Sequence, residues 1–221
     1  MSTAVLFDID GTLVDSNFAH VDAWSRAFRS VGAEVDDWRI HRAIGMDSDR
    51  LLGTLLGAAD SDQAQQAKAF HTAYYAERFP TLRPLPGARE LLAAVAAAGH
   101  AVVLATSAPE REFAVLREVL DSDDVIAAVT SSGDVDDAKP APGILEIAMQ
   151  RAGTGPGSTV MVGDAVWDVV AAKNAAVPCL ALRSGGTGPE ELRAAGAIGV
   201  WEDPADLLAH LADSAIGSLR R

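Results

Sequence analysis

The chain has 221 residues, with 31 acidic and 18 basic side chains and a formal net charge of −13. This charge argues against binding to the phosphate backbone of a nucleic acid, which requires basic patches. Hydrophobic residues make up 49% of the chain, which is enough for a substantial core in one large domain or in one domain with a smaller insert.

The first predicted element is an apolar strand at residues 3–8, and a long helical segment follows it. Residues 16–83 have helical periodicity and no convincing strand. His20, Trp24 and Phe28 recur every four residues, which places them on one face of a helix. Two further helices are predicted in this segment, at 49–57 and 62–79. We therefore interpret residues 16–83 as a helical insert.

From residue 84 onwards, short apolar runs alternate with helical patterns. Runs rich in valine, leucine and alanine with few charges are typical of strands that are buried on both faces of a parallel sheet. Further strands are predicted at 101–106, 159–164, 178–183 and 197–200. Helices are predicted at 88–98, 109–120, 142–152, 166–175, 189–195 and 204–212. This alternation predicts a doubly wound α/β domain with a parallel sheet, built from residues 1–15 and 84–221 and interrupted by the insert.

The single cysteine, Cys179, excludes an internal disulfide, and its apolar neighbours predict a buried, unreactive thiol. The sequence begins without the basic region of a secretory signal peptide. No apolar run reaches the roughly 18 residues of a membrane span. We therefore expect a cytoplasmic monomer or homodimer with neither a membrane nor a nucleic acid as its partner.

Polar side chains follow the strands that are predicted to be buried, or lie close to them in the chain. They are Asp8, Asp10, Thr106, Ser107, Lys139, Asp164 and Asp168. Ligands of open α/β sheets bind outside the carboxyl ends of the strands. We therefore expect these side chains, although scattered in the sequence, to meet at one edge of the sheet.

The acidic residues at this edge predict a magnesium site. Mg²⁺ prefers oxygen ligands, which the carboxylates of Asp8 and Asp164 and the backbone carbonyl of Asp10 can supply. So many acidic groups would repel one another strongly unless a cation lay among them. The metal is therefore inferred from electrostatics as well as from spacing.

The same edge also has the features of a phosphate site. The hydroxyl of Thr106 and free N–H groups of Ser107 and Ala108, at the start of a helix, are predicted to bind an anion. Lys139 can neutralise both Asp8 and a phosphate group. The sequence therefore predicts that a phosphorylated substrate binds here.

The two acids that follow the first strand have separate predicted roles. Asp8 is a candidate nucleophile, since a carboxylate can attack phosphorus and form an aspartyl-phosphate. Asp10 can reach the leaving-group oxygen and act first as a general acid and then as a general base. Gly11 allows a tight turn, and the hydroxyl of Thr12 can hold that turn by a local hydrogen bond.

These residues stand in four motifs. They are "DIDGT" at 8–12, Thr106 in "LATSAP", Lys139 in "AKPAP" and "GDAVWD" at 163–168. In order and spacing the set resembles the haloacid dehalogenase-like superfamily of hydrolases, from Val5 to about Asp206. The resemblance implies a Rossmann-like core, and the insert resembles the helical C1 cap of that superfamily.

The resemblance also implies a reaction. Asp10 stands where true haloacid dehalogenases have tyrosine, which implies phosphoryl transfer from a phosphomonoester to Asp8 and then to water, with Mg²⁺ as cofactor. Segments 15–28 and 84–92 resemble the branch of phosphoglycolate phosphatase and β-phosphoglucomutase. Arg50 is displaced by about one residue from the arginine of the mutase branch, which favours a phosphatase.

Some residues keep two interpretations. His20 is a candidate hinge or substrate contact, or else a half-buried polar residue on a helix face. Trp24 and Phe28 are expected in the core of the insert. Trp167 can stack on a substrate or pack beneath the insert. Residues 183–192 resemble a glycine-rich phosphate loop but lack its Gly-Lys-Ser/Thr, so an ordinary loop before a helix is expected.

Two acids of the fourth motif also keep alternatives. Asp164 can serve as a helix N-cap as well as a metal ligand. Asp168 lies one helical turn later, and we expect it to orient Lys139 or a metal-bound water rather than to bind the metal directly.

The predicted function is a Mg²⁺-dependent phosphatase that acts on a small phosphorylated metabolite through an aspartyl-phosphate. One alternative is a sugar phosphomutase similar to β-phosphoglucomutase. Another is a non-catalytic binding protein on the same fold.

Overall fold

The computed structural model describes residues 2–131, 133, 139 and 141–220, and a parallel β-sheet lies at its centre. The strands are β1 Ala4–Phe7, β2 Ala101–Ala105, β3 Ile126–Thr130, β4 Thr159–Gly163, β5 Cys179–Leu182 and β6 Gly199–Trp201. They pair in the order β3-β2-β1-β4-β5-β6, with every neighbouring pair parallel. This order confirms the predicted doubly wound α/β fold, and the direction of winding reverses between β1 and β4.

Helices follow most of the strands and fill the segment between β1 and β2. The α-helices are α1 Asn17–Ser30, α2 Asp37–Ala43, α3 Ser48–Leu56, α4 Asp62–Ala76, α5 Ala88–Ala97, α6 Glu110–Leu120, α7 Gly143–Ala152, α8 Val166–Asn174, α9 Pro189–Ala195 and α10 Pro204–Ala209. Short 3₁₀ helices lie at Phe79–Thr81, Pro156–Ser158 and Leu211–Asp213. The predicted helix at 204–212 therefore ends at Ala209 and is followed by a 3₁₀ turn.

The core covers both faces of the sheet. Successive side chains of a strand point to opposite faces. Val5 and Phe7 of β1 accordingly pack into one hydrophobic cluster, and Ala4 and Leu6 pack into another. All four are fully buried, which explains why β1 reads as a continuous apolar run rather than as an alternating one.

Two elements were not predicted from the sequence. Strand β3 lies at the edge of the sheet and is an apolar run like the other strands, although only its Thr130 is fully buried. Helix α2 has only seven residues, of which Ile40 and Ala43 are buried. Helix α2 is too short to produce a clear periodic pattern, whereas the apolar run of β3 was a usable signal that the sequence interpretation missed.

The helical insert has its own apolar cluster. Trp24 and Phe28 of α1 pack with Ile40 of α2, Leu52 of α3 and Ala67 of α4. Trp24 is 2% exposed and Phe28 is 1% exposed, which confirms that both belong to the core of this segment.

The chain enters and leaves the insert side by side. The N–H of Asp15 donates to the carbonyl of Arg83 at 3.0 Å, and the N–H of Leu85 donates to the carbonyl of Leu13 at 2.8 Å. No β-strand lies between these two crossings in the described residues. This geometry supports our proposal that residues 16–83 form a separate inserted domain.

Cys179 begins β5 and is 2% exposed, as predicted. Burial raises the pKa of its thiol well above the ordinary value, so the thiol stays protonated and unreactive. Within the part of the chain that the structure describes, no helix combines the length and the apolar character that crossing a lipid bilayer would require.

Candidate active site

The acidic residues predicted from the sequence meet at the carboxyl ends of β1 and β4, where the winding of the sheet reverses. Asp8 follows β1, and its N–H donates to the carbonyl of Val162 in β4 at 2.9 Å. Asp164 follows β4. Carboxylate oxygens of Asp8, Asp164 and Asp168 all lie within 4.8 Å of one another, and all three residues are buried.

Lys139 lies among these acids. Its Nζ contacts Oδ1 of Asp8 at 2.5 Å and Oδ1 of Asp168 at 2.8 Å, and the residue is 1% exposed. Burial lowers the pKa of Lys139, but attraction to Asp168 and Asp8 outweighs burial and raises the pKa above its ordinary value. Lys139 is therefore positively charged, yet one cation faces three buried acids.

Asp168 connects Lys139 to the start of α8. Its Oδ2 accepts hydrogen bonds from the N–H groups of Asp164 at 3.2 Å and Ala165 at 3.1 Å. Ala165 is the N-cap residue of α8, so the alternative that Asp164 is the N-cap is wrong. Asp168 thus fixes both Lys139 and the start of α8, which supports a positioning role for it.

Asp164 is held by two side chains that follow β1. Thr12 Oγ1 donates to Oδ1 of Asp164 at 2.7 Å, and Asn17 Nδ2 donates to Oδ2 at 2.8 Å. Thr12 therefore contacts a distant acid instead of the local turn that the sequence predicted. Burial and repulsion from Asp168 and Asp8 nevertheless raise the pKa of Asp164 well above its ordinary range.

The glycine-rich loop after β5 lies against this acid. A Cβ at Gly185 would lie 1.7 Å from Oδ2 of Asp164, so only glycine fits at this position. The Gly185 carbonyl accepts a hydrogen bond from Asn17 Nδ2 at 3.2 Å, and Ser184 Oγ donates to the Gly11 carbonyl at 2.7 Å. The prediction of a loop before a helix is confirmed, since α9 begins at Pro189.

Sequence reasoning missed that this loop contacts the site. The available signal was its position, because it follows the carboxyl end of β5 at the same edge of the sheet as the acids. Asn17 was missed for a similar reason: it stands among the helical residues of the insert, and nothing local marks it as a partner of Asp164.

The pKa of Asp8 is shifted by its burial and by the acidic groups crowded around it. Burial raises its pKa to about 7, with further repulsion from Asp168 and Asp10, although Lys139 opposes this rise. A cation among the acids would relieve the excess negative charge. The carboxylates of Asp8 and Asp164 are oxygen donors of the kind that Mg²⁺ prefers. The residues present therefore fit a magnesium ion.

Asp10 lies in the same cavity but outside that cluster of three. Ser16 Oγ donates to its Oδ1 at 2.6 Å, and Nε2 of His20 lies 3.4 Å from the same oxygen. Burial raises the pKa of Asp10, but the contacts with His20 and Ser16 outweigh burial and bring the pKa below its ordinary value.

His20 connects Asp10 to the far side of the insert. Its Nδ1 lies 3.1 Å from Nε2 of His71 in α4, and its ring stacks on Tyr75 with the centroids 3.7 Å apart. Its side chain is 12% exposed, and it lines the cavity. Burial lowers the pKa of His20, but Asp10 outweighs burial and raises it.

Thr106, Ser107 and Ala108 follow β2 and line the same cavity, as predicted. The N–H of Ala108, however, donates to Thr106 Oγ1 at 3.0 Å, so the prediction that it is free was wrong. A hydroxyl that follows a strand can close such a turn on its own backbone. Helix α6 starts only at Glu110, and Ser107 Oγ is buried without a hydrogen-bond partner among the described residues.

These residues enclose a cavity of about 80 Å³ between the sheet and the insert. We call Asp8, Asp10, Asp164, Asp168 and Lys139 the acidic edge. We call Ile44, Met46, Asp47, Ser48 and Leu51, which line the opposite side, the insert wall. The sequence analysis assigned the insert wall, His71 and Glu112 to no site.

Arg50 and Trp167, whose roles the sequence left open, both lie outside the described lining of the cavity. Arg50 is exposed and is absent from the described lining, so it occupies no position at the cavity. Trp167 Nε1 donates to the Arg42 carbonyl at 3.0 Å, and a Cβ at Gly45 would lie 3.2 Å from the Trp167 ring. Trp167 therefore packs beneath the insert instead of stacking in the cavity.

Comparison with known proteins agrees with this geometry. A family model described as haloacid dehalogenase-like hydrolase matches residues 3–176. A phosphoglycolate phosphatase of Rhodospirillum rubrum is 34% identical over 217 residues, which cover 94% of this chain and 90% of that protein. A phosphoglycolate phosphatase of Pseudomonas putida is 31% identical over 220 residues, which cover 96% of this chain and 81% of that protein.

Solved structures give the same result. A hydrolase from Pseudomonas syringae superposes with a TM-score of 0.91 at 34% identity, covering 97% of this chain and 100% of the other. A β-phosphoglucomutase from Clostridium difficile superposes with a TM-score of 0.83 at 19% identity, covering 99% of this chain and 98% of the other. At that lower identity the likeness shows the fold alone.

Proposed function

Because the chain belongs to the haloacid dehalogenase-like hydrolases and is a phosphoric monoester hydrolase, we propose that it acts through a phosphorylated Asp8 on a small phosphomonoester. The observation that carries this proposal is the geometry of the acidic edge. Asp8 contacts Lys139, lies beside Asp164 and lines one cavity together with Asp10.

In the first step, a carboxylate oxygen of Asp8 attacks the phosphorus atom of the substrate. The bond from phosphorus to the leaving-group oxygen breaks, and Asp10 gives its proton to that oxygen. The pKa of Asp10 lies below its ordinary value in the free protein. A bound phosphate dianion would raise the pKa, because like charges disfavour the ionised carboxylate, and this supports its role as the acid.

In the second step, water attacks the phosphorus atom of the aspartyl-phosphate. Asp10, now ionised, accepts a proton from that water, the bond between phosphorus and Asp8 breaks, and inorganic phosphate is released. The contact of Asp10 with His20 supports this step, since it favours the ionised carboxylate that a general base requires.

We propose that Mg²⁺ is held by the carboxylates of Asp8 and Asp164 and by the backbone carbonyl of Asp10. The ion supplies positive charge that stabilises the phosphate oxygens as negative charge develops on them. Thr12 and Asn17 orient Asp164 through the hydrogen bonds described above. Asp168 fixes Lys139 and the start of α8, and acts as a positioning residue.

Thr106, Ser107 and Lys139 are proposed to bind the phosphate group. Thr106 and Ser107 line the cavity, and Ser107 Oγ is buried without a hydrogen-bond partner among the described residues, so it can take one from a ligand. The turn that binds the Ala108 N–H to Thr106 fixes the hydroxyl of Thr106 in place.

The mutase alternative is disfavoured by the position of Arg50. This side chain is exposed and is not among the described residues that line the cavity, so it is not placed to hold a second phosphate group of a sugar bisphosphate. The binding-protein alternative is disfavoured because Asp8 and Asp10 both line the cavity and the buried Lys139 contacts Asp8.

Release of phosphate from a panel of phosphomonoesters with Mg²⁺, for the wild type and for Asp8→Asn, tests the proposal. The names of the relatives make phosphoglycolate the first compound of the panel. We expect turnover that Asp8→Asn abolishes in a protein with unchanged circular dichroism. Silence of the folded, Mg²⁺-loaded wild type on the whole panel, or full activity of Asp8→Asn, would contradict it.

A further inference from the structure

Glu112 is a buried acid at the cavity that the proposed mechanism does not use. It lies in the first turn of α6, is 7% exposed and lines the cavity. Among the described residues its carboxylate has no hydrogen bond or ion pair at contact distance, and its electrostatic partners are His20, Asp10 and Arg111. Burying such a group without a hydrogen-bond donor is unfavourable, so it points to a donor supplied by a ligand.

The position of Glu112 assigns it to the part of the cavity that holds the leaving group. Asp10, which is proposed to protonate the leaving-group oxygen, and His20 are close enough to Glu112 to affect its pKa. Burial raises the pKa of Glu112, and the charge of His20 opposes this rise. Thr106 and Ser107, which are proposed to bind the phosphate group, lie in the turn before α6 and line the same cavity as Glu112.

The described residues that line the cavity offer no unpaired cation for a second anion. The acids that line it are Asp8, Asp10, Asp47, Glu112, Asp164 and Asp168, and no lysine or arginine is among the described lining residues. Lys139 contacts Asp8 and Asp168 and is already assigned to the phosphate group. Burial lowers the pKa of His71 well below its ordinary value, so its ring is uncharged near neutral pH.

His20 is already paired with Asp10, with its Nε2 3.4 Å from Oδ1 of that acid. A carboxylate on the leaving group would therefore meet Asp10 and Glu112 without an unpaired cation among the described lining residues to balance it. Such like-charge contacts in a buried site strongly disfavour binding. A hydroxyl or ammonium group would instead donate a hydrogen bond to Glu112 and satisfy its buried carboxylate. The insert wall adds Ile44, Met46 and Leu51, which tolerate carbon chains but bind no charge.

We propose that the substrate is the phosphate ester of an alcohol that carries hydroxyl or ammonium groups and no second anion, with Glu112 accepting a hydrogen bond from it. This inference rests on the proposed phosphatase function and specifies its substrate class. It separates this chain from the substrate in the names of its relatives, since glycolate carries a carboxylate.

The first test compares substrates of similar size on the wild-type protein with Mg²⁺. We expect kcat/KM for phosphoethanolamine or glycerol 1-phosphate to exceed that for phosphoglycolate at least tenfold. Any smaller ratio overturns the inference. Acetyl phosphate, whose acetyl group is uncharged, serves as the general substrate. Its hydrolysis together with a preference for phosphoglycolate overturns only this inference. Failure to hydrolyse any of the four compounds overturns the proposed function as well.

The second test is Glu112→Gln, with Glu110→Gln as the matched control. Glu110 lies two residues earlier on the same helix and is exposed. We expect Glu112→Gln to lower the ratio of kcat/KM for phosphoethanolamine to kcat/KM for phosphoglycolate at least tenfold, whereas Glu110→Gln leaves that ratio unchanged within twofold. An unchanged ratio in a Glu112→Gln protein that melts like the wild type overturns the assignment of Glu112. The wild-type comparison needs no variant, so the substrate class is tested even if this variant does not fold.

Discussion

The acidic edge and the insert wall face each other across one cavity, but they are built in opposite ways. At the acidic edge, Asp8, Asp164 and Asp168 each have polar partners that fix their carboxylates. The insert wall contributes mostly apolar side chains, such as Ile44 and Leu51, that pack into the cluster of the insert. The edge therefore fixes the positions of charges, whereas the wall fixes the shape of the space next to them.

This difference separates the chemical step from substrate choice. Charged groups held by buried partners keep one geometry, which is what attack on phosphorus requires. An apolar wall can change its side chains without moving those charges, so it can select a leaving group. His20 is the main link between the two, since it contacts Asp10 and also stacks on Tyr75 of the insert.

Asp10→Asn should produce the largest loss of activity. The variant keeps the size of the side chain but removes the proton transfer, so kcat should fall about 10²- to 10⁴-fold for every substrate alike. Steady-state rates on two chemically different phosphomonoesters measure this. A loss confined to one substrate would place Asp10 in substrate selection and would remove the distinction between edge and wall.

The matched control is Asp15→Asn. Asp15 lies in the same loop after β1, but its side chain is 38% exposed and pairs with Arg83 at 2.8 Å outside the cavity lining. Its rates should stay within about twofold of the wild type, since an exposed ion pair contributes little.

The acidic edge was predictable because its residues follow strands. An apolar run that stops at an acid, as at Asp8 or Asp164, marks both the strand end and the polar group in one pattern. Thr106 was found in the same way, whereas Lys139 was found from its place before the strand at 159–164 and from the resemblance of "AKPAP" to the third motif. Local sequence therefore placed the charged groups at one edge, although it could not give the distances between them.

The insert wall and the neutral partners were not predictable, because they depend on how separate elements pack. Asn17 and Gly185 meet Asp164 from opposite ends of the chain, and neither stands in a charged motif. Glu112 reads as an ordinary acid in the first turn of a helix, where it suits the helix dipole. Only its burial against the cavity distinguishes it from Glu110, which is exposed.

Lys139→Met should cause the next largest effect, this time on stability. The substitution keeps the apolar part of the side chain but leaves the buried carboxylates of Asp8 and Asp168 without their cation. Breaking a buried ion pair on one side costs about 3–5 kcal/mol in the free energy of unfolding. Urea unfolding in the absence of Mg²⁺ measures it.

Lys173→Met is the control for this variant. Lys173 lies in α8, the helix that also carries Asp168, but it is exposed. Its removal should change the free energy of unfolding by less than about 0.5 kcal/mol. Equal losses in the two variants would mean that the acidic edge is not stabilised by Lys139 in particular.

Magnesium should stabilise the folded protein by a smaller amount. An ion that binds only the folded state, at 100 times its dissociation constant, adds about 2.7 kcal/mol to the free energy of unfolding. For a chain of this length that corresponds to a rise in Tm of roughly 5–10 °C. Thermal melts with Mg²⁺ and with EDTA measure the shift without any substrate.

Asp164→Asn separates specific binding from general salt effects. We expect this variant to lose most of the shift in Tm, because a proposed ligand has been replaced by a neutral amide. A shift equal to that of the wild type would place the ion elsewhere and would remove Asp164 from the metal site.

The smallest expected effect concerns a surface ion pair between the insert and the core. Arg42 of α2 forms an ion pair with Glu191 of α9, and the two side chains are 50% and 38% exposed. Exposed pairs of this kind contribute about 0.2–1 kcal/mol. A double-mutant cycle of Arg42→Ala and Glu191→Ala should give a coupling energy of that size in urea unfolding.

The pair between Arg26 and Glu77, which joins two parts of the insert at 2.8 Å, provides the comparison. Both pairs should have similar coupling in stability, because both are exposed. Of these two pairs, only that of Arg42 and Glu191 connects the insert to the core, so only its loss should change KM. The change should be less than about tenfold, since a tenfold change in affinity corresponds to about 1.4 kcal/mol. A change in kcat instead of KM would mean that loss of this surface ion pair alters the geometry of the acidic edge. The acidic edge and the insert wall would then not have separate roles.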